Sequence, residues 1–184
     1  MLEAILRTPN RRIIGISVLI VALDQLTKGI VRELLGSGER IVIPGFFKLV
    51  NWNNTGAAWS LFRGYNFVLA AIAVVALIVL VLNRHRFNGH TWLGQMAFGL
   101  IFGGIIGNLT DRVVMHHVTD FLYFYFQRPE NGFPAFNVAD SAICTGVGLI
   151  FLITWKVERR AAANREEGKP TTPFQPRMNP DEHG

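Results

Sequence analysis

Cysteine is almost missing from this chain: Cys144 is the only one in 184 residues, so no intrachain disulfide can staple it. Charge is scarce too. Charged residues make up 17% of the sequence, against about a quarter in an ordinary soluble domain. There is no His-Glu-x-x-His segment to supply the ligands and base of a zinc protease. Ser141 lacks a nucleophile-elbow setting or a partner base, and no internal repeat of the transporter kind is visible. These gaps exclude a disulfide scaffold and a soluble enzyme core, and they disfavour the familiar metal and serine hydrolytic motifs.

What the chain has in quantity is apolar sequence. Half of its residues are hydrophobic and the mean hydropathy is +0.29. The apolar residues fall in runs long enough to cross a bilayer, each crossing needing about 20 residues. Four spans are predicted: Ile13–Leu35, Tyr65–Leu82, Trp92–Leu109 and Val138–Val157. The start resembles a signal peptide, with basic residues before IIGISVLIVAL. No small-x-small cleavage site follows, and the run continues through Asp24 and Lys28 to Leu35, so it reads as an uncleaved first span.

Orientation follows from Lys and Arg placement. Arg7, Arg11 and Arg12 precede the first span, and Arg84 and Arg86 fill the short second link. Lys156, Arg159, Arg160, Arg165 and Lys169 follow the fourth span. With four spans these segments share one side, which is the cytoplasmic one, as are both termini. The net charge of +5 is therefore a topology signal, and no nucleic-acid partner is implied. The core is expected to be residues 1–157, with 158–184 a polar, disordered tail. Outer segment 36–64 reads as short strands Arg40–Ile43 and Phe46–Trp52 around Pro44-Gly45, a small sheet lying on the membrane surface. In outer segment 110–137 the aromatic run Phe121–Phe126 suits the headgroup boundary. The fold class is thus an all-α membrane protein with a small sheet outside.

Few acids stand near the spans: Asp24, Asp111, Asp120 and Asp140. Asp24 and Lys28, at i and i+4, form a pair that fixes helix packing. Arg112 either anchors at the interface or clamps a peptide carbonyl. Gly99, Gly103 and Gly107, at intervals of four, suit close helix packing. Asp120 and Asp140 lack a basic neighbour at helical spacing, yet both belong to the same membrane boundary. Two carboxylates close together in a low dielectric share a proton. Such a pair suits amide hydrolysis, one member taking a proton from water and the other donating to the leaving nitrogen. Loop carboxylates are also commonly just solvated. His116-His117 is a poor metal site because adjacent side chains diverge, so no metal is expected. Cys144 reads as a small core hydrophobe.

Five ordered blocks carry a resemblance. LDQLTK (Leu23–Lys28), NNTGAAWS (Asn53–Ser60), GNLTDR (Gly107–Arg112), TDF (Thr119–Phe121) and FNVADSA (Phe136–Ala142) resemble those of bacterial lipoprotein signal peptidase, the type II signal peptidase. The match covers nearly all of residues 13–157, with Trp59 standing where the family favours Phe. The resemblance implies an aspartic endopeptidase of the bacterial inner membrane, with no cofactor and its active site at the extracytoplasmic face. It would cut diacylglyceryl-modified prolipoproteins on the amino side of the lipidated cysteine. It places the catalytic acids on Asp120 and Asp140. It makes Asn54, Gly56, Asn108, Asp111, Arg112 and Asn137 pocket-shaping or substrate-holding positions, with Asn54 and Arg112 nearest the peptide. It also implies membrane lipid and the cyclic peptide globomycin as partners. The rival readings are a small proton- or ion-coupled transporter, with Asp24, Asp120 and Asp140 as a relay, and a scaffold without chemistry.

Overall fold

The computed structural model describes residues 9–56, 62, 64–83 and 91–166. Helix α1 (Pro9–Leu35) leads into strands β1 (Glu39–Ile43) and β2 (Phe47–Asn54). Helices α2 (Asn66–Asn83) and α3 (Trp92–Val114) follow, then β3 (Val118–Phe126), β4 (Arg128–Gly132) and α4 (Val138–Glu166). Each helix holds a stretch long and apolar enough to cross a membrane: Asn10–Leu35, Asn66–Asn83, Trp92–Val114 and Val138–Arg165. The expected four-span helical fold with a small sheet is therefore borne out.

Helix α3 is the axis of the bundle, and its small residues explain why. A Cβ added at Gly99 would lie 2.6 Å from Ile16 Cβ, and one at Gly103 2.6 Å from Ile20 Cβ. One at Gly107 would lie 2.8 Å from Asp24 Oδ2. Both series step by four residues, so one ridge of α1 runs along a glycine groove of α3. The other side of α3 receives α4: Gly104 abuts the Ala139 carbonyl, and Gly146 sits under the Ala97 carbonyl. Around these contacts Ile13, Phe98 and Phe102 form the apolar core, with Leu77, Leu80 and Ile150 packed against it. Helix α2 buries no residue completely.

We expect Gly103→Ala to lower stability by about 1–3 kcal/mol, because its methyl meets Ile20 and the Ser17 carbonyl in a packed seam. Gly148→Ala, which meets nothing within 4 Å, should be harmless. Thermal unfolding of both in detergent checks this, and equal midpoints would refute the groove.

The sheet is antiparallel in the order β1-β2-β3-β4. Pro44 and Gly45 lie between β1 and β2, with Gly45 at φ +75, where a side chain is disfavoured. Strand β2 pairs with β3 in a register that sets Trp52 opposite Asp120 and Asn54 opposite Val118. Val50, Tyr123 and Tyr125 are buried together. Lys48 is buried over the Tyr123 ring at 5.2 Å and bound to Glu39 at 2.6 Å.

Three expectations change. Helix α3 does not stop at Leu109 but runs to Val114, because Asp111 and Arg112 find partners inside the protein. It ends where His116 turns to φ +61. Residues 158–166 continue α4 rather than opening a disordered tail; ERRAAANRE is rich in good helix formers. The expected disorder of 167–184 lies outside the described residues, as do Trp59 and the basic link Arg84–Arg86. The aromatic run Phe121–Phe126 forms most of β3, with Phe121, Tyr123 and Tyr125 buried. Cys144 is exposed on α4, not packed inside.

Candidate active site

Asp120 lies on β3, and Asp140 lies in the first turn of α4. The chain brings them together by pairing the segment before α4 with β3. Leu122 and Phe136 exchange backbone hydrogen bonds, Leu122 N to Phe136 O at 2.8 Å and Phe136 N to Leu122 O at 3.1 Å. That bridge sets Asn137 beside Asp120.

Asn137 then does two things. As N-cap of α4 its Oδ1 accepts from Asp140 N at 2.9 Å, while Asp140 Oδ2 accepts from Asn137 N at 3.2 Å. The arrangement is a capping box with Asp in the third position. Its Nδ2 donates to Asp120 Oδ1 at 2.8 Å. One buried amide therefore links both acids.

Two further asparagines complete the frame. Asn54 Nδ2 donates to Asp120 Oδ2 at 2.8 Å, and Asn54 Oδ1 accepts from Gly56 N at 2.9 Å. Asn54 reaches Asp120 diagonally across the β2–β3 pair, within range for a polar side chain. Asn108 Nδ2 donates to Asp140 Oδ1 at 2.7 Å, and its Oδ1 accepts from Lys28 Nζ at 3.0 Å. In all three asparagines the oxygen is engaged by a donor, which turns the NH₂ group toward a carboxylate.

Burial pushes Asp120 up to about 7, with the nearby Asp140 charge adding to the rise. The Asn54 and Asn137 hydrogen bonds and the Lys28 charge oppose it. The pair is thus suited to hold one shared proton near neutrality.

The other expected positions divide. Arg112 Nη2 donates to Gly56 O at 2.9 Å, and Arg112 Nη1 donates to Asn66 Oδ1 at 3.3 Å. Asn66 Nδ2 returns a bond to Arg112 O at 2.9 Å. Gly56 and Arg112 thus border the acids and tie the end of β2 to α2. Asp111 lies apart from them, fully buried with Asp24 and Lys28. Lys28 Nζ is 2.8 Å from Asp24 Oδ2 and 2.9 Å from Asp111 Oδ2. Sequence reasoning gave Asn66 no role, and none to Gln25, whose Nε2 binds Asp111 Oδ1 at 3.0 Å. Gln25 sits inside the LDQLTK block; Asn66 had no signal beyond being a polar residue at the mouth of an apolar run. Among the described residues no three His, Cys, Asp or Glu side chains are grouped to hold a metal ion.

The family model for signal peptidase (SPase) II matches residues 16–156. A lipoprotein signal peptidase of Symbiobacterium thermophilum is 39% identical over 152 residues, covering 82% of this chain and 98% of that protein. The lipoprotein signal peptidase of Bacillus subtilis is 40% identical over 140 residues, covering 74% and 88%. A bacterial membrane enzyme solved by the in meso method at 2.3 Å resolution superposes with a TM-score of 0.68 at 30% identity. That likeness covers 89% of this chain and 94% of the other.

Proposed function

The chain belongs to the signal peptidase II family, aspartic membrane endopeptidases that remove the signal peptide of prolipoproteins, and from that premise we propose that Asp120 and Asp140 are its catalytic pair. The transporter reading has no support from these relatives. The observation that carries the assignment is Asn137, which caps the helix bearing Asp140 and donates to Asp120 from the same side chain.

The ionised member takes a proton from water as the oxygen attacks the scissile carbonyl. The protonated member gives its proton to the departing amide nitrogen, so the pair ends with its roles exchanged. The substrate is a diacylglyceryl-modified precursor, cut on the amino side of the lipidated cysteine. The site faces the outside of the bacterial inner membrane, with both termini in the cytoplasm; Arg11 and Arg12 at one end of α1 and Arg159, Arg160 and Arg165 at the matching end of α4 support this. Membrane lipid surrounds the exposed apolar helix faces.

The purified protein in detergent should shorten a lipid-modified precursor in excess chelator. No shift in size would refute the assignment. Loss on chelation with recovery on adding zinc would move the chemistry to His116 and His117.

The pH dependence has a definite sign. A carboxyl raised to about 7 keeps its proton below that pH and loses it above. Since the pair needs one proton, kcat/KM should fall as pH rises through about 7. A kcat/KM profile still flat two units above neutrality would contradict the shared proton.

Arg112 and Asn54 are the groups nearest the substrate chain, and globomycin occupies the same cleft. Arg112→Lys keeps the charge but loses the planar fork that now holds Gly56 and Asn66. It should weaken globomycin binding and turnover together, by roughly tenfold, the size of one lost charge-assisted hydrogen bond. Unchanged inhibitor affinity in both Arg112→Lys and Asn54→Ala would refute the placement.

A further inference from the structure

We propose that Lys28, Asp24 and Asp111 are positioning residues that align both catalytic aspartates through the backbone, with Lys28 also fixing the Asn108 amide against Asp140. The proposal rests on the reading of Asp120 and Asp140 as the catalytic pair.

The geometry repeats itself on the two acids. Asp24 Oδ1 accepts from Ala139 N at 2.9 Å, and Ala139 immediately precedes Asp140. Asp111 Oδ2 accepts from Thr119 N at 3.2 Å, and Thr119 immediately precedes Asp120. Each carboxylate of the buried triad thus holds the peptide N–H one residue ahead of a catalytic side chain. Lys28 binds both carboxylates, at 2.8 and 2.9 Å, so one ammonium group joins the backbone of β3 to the backbone of α4. The three side chains are fully buried.

The third reach of Lys28 concerns orientation. An asparagine amide can present either its oxygen or its nitrogen to a neighbour. By donating to Asn108 Oδ1 at 3.0 Å, the cation leaves the NH₂ end for Asp140 Oδ1 at 2.7 Å. A flipped amide would set oxygen against carboxylate.

A buried ion cluster that merely packs helices is the simpler account. Apolar side chains would fill the same space without the desolvation cost of three charges. They would leave the Ala139 and Thr119 N–H groups without these acceptors and the Asn108 amide free to turn. The charged groups facing the pair are Lys28 and Asp24 from α1, and Arg112 from α3. Among these the Lys28 charge favours the ionised form of Asp120, so its removal should move the pH profile to higher pH.

The test uses the full chain in detergent with a diacylglyceryl-modified precursor peptide, reading kcat, KM, the pH profile of kcat/KM and the thermal midpoint. The double variant Asp24→Asn/Lys28→Met removes one charge of each sign and so keeps the net charge of the cluster. It should fold, keep KM within about twofold, lose kcat by roughly 10²-fold, and shift the alkaline limb upward. A folded double variant with wild-type kcat and an unmoved limb overturns the proposal. If the double variant does not fold, Asn108→Ala decides, since it leaves the triad whole. Loss of kcat with an upward limb supports the proposal there, and an unmoved limb overturns it. Asp120→Asn and Asp140→Asn run in the same assay. Turnover retained in those refutes the catalytic pair itself, whereas their loss beside an intact double variant refutes only the positioning role.

Discussion

Asp120→Asn and Asp140→Asn are each expected to lose precursor cleavage by roughly 10²–10⁴-fold, the range a positioned acid or base contributes. Asn is nearly isosteric with Asp but can neither take nor give the proton. The hydrogen bonds from Asn54, Asn108 and Asn137 would meet one amide oxygen in place of two carboxylate oxygens, a local loss that the bundle should tolerate. If the acids act as a unit, the double variant should be scarcely slower than either single one. Cleavage by all three at matched protein amounts, with thermal midpoints alongside, checks this. Near wild-type cleavage by either single variant would remove the aspartic mechanism, and an additive double variant would mean that the two side chains act separately.

The largest loss of stability is expected from Lys28→Met alone. It leaves Asp24 and Asp111 buried beside each other without their shared cation, which costs about 3–5 kcal/mol. Asp24→Asn should be milder, because Lys28 keeps Asp111 as partner. Seen from sequence alone, Asp24→Asn would strand a lone cation; in the structure Lys28 keeps a second carboxylate, Asp111. Thermal unfolding in detergent distinguishes them. A Lys28→Met protein as stable as wild type would mean that the two carboxylates do not share that cation.

That second partner marks where the sequence stops being legible. Spacing of four residues disclosed the Asp24–Lys28 contact and the glycine face of α3, since both follow from the helical period. Lys28–Asp111 spans two helices, and no local period encodes it. The β1–β2 hairpin was visible in Pro44-Gly45, while the length of α3 was hidden because hydropathy fades at Thr110 although the backbone stays helical. The aromatic run suggested a headgroup boundary and no strand; its pairing with β2 is what makes it one. At the site, the candidate acids could be named from their isolation, but their meeting depends on the Leu122–Phe136 bridge, which no motif announces. Asn137 was named through the resemblance. Its double contact, cap on one side and donor on the other, belongs to the folded chain.

The double contact of Asn137 also bears on the order in which the enzyme is made. The α4 cap and the frame around Asp120 are one structure, so the site cannot be half assembled. A nascent chain that has threaded α1 to α3 into the bilayer carries Asp120 and Lys28 but lacks Asp140, the Asn137 donor and the carbonyl of Phe136. With Asp120 and Asp140 as the proposed pair, proteolytic competence requires the docking of the last helix. A chain halted before α4 should accordingly leave a lipid-modified precursor uncut.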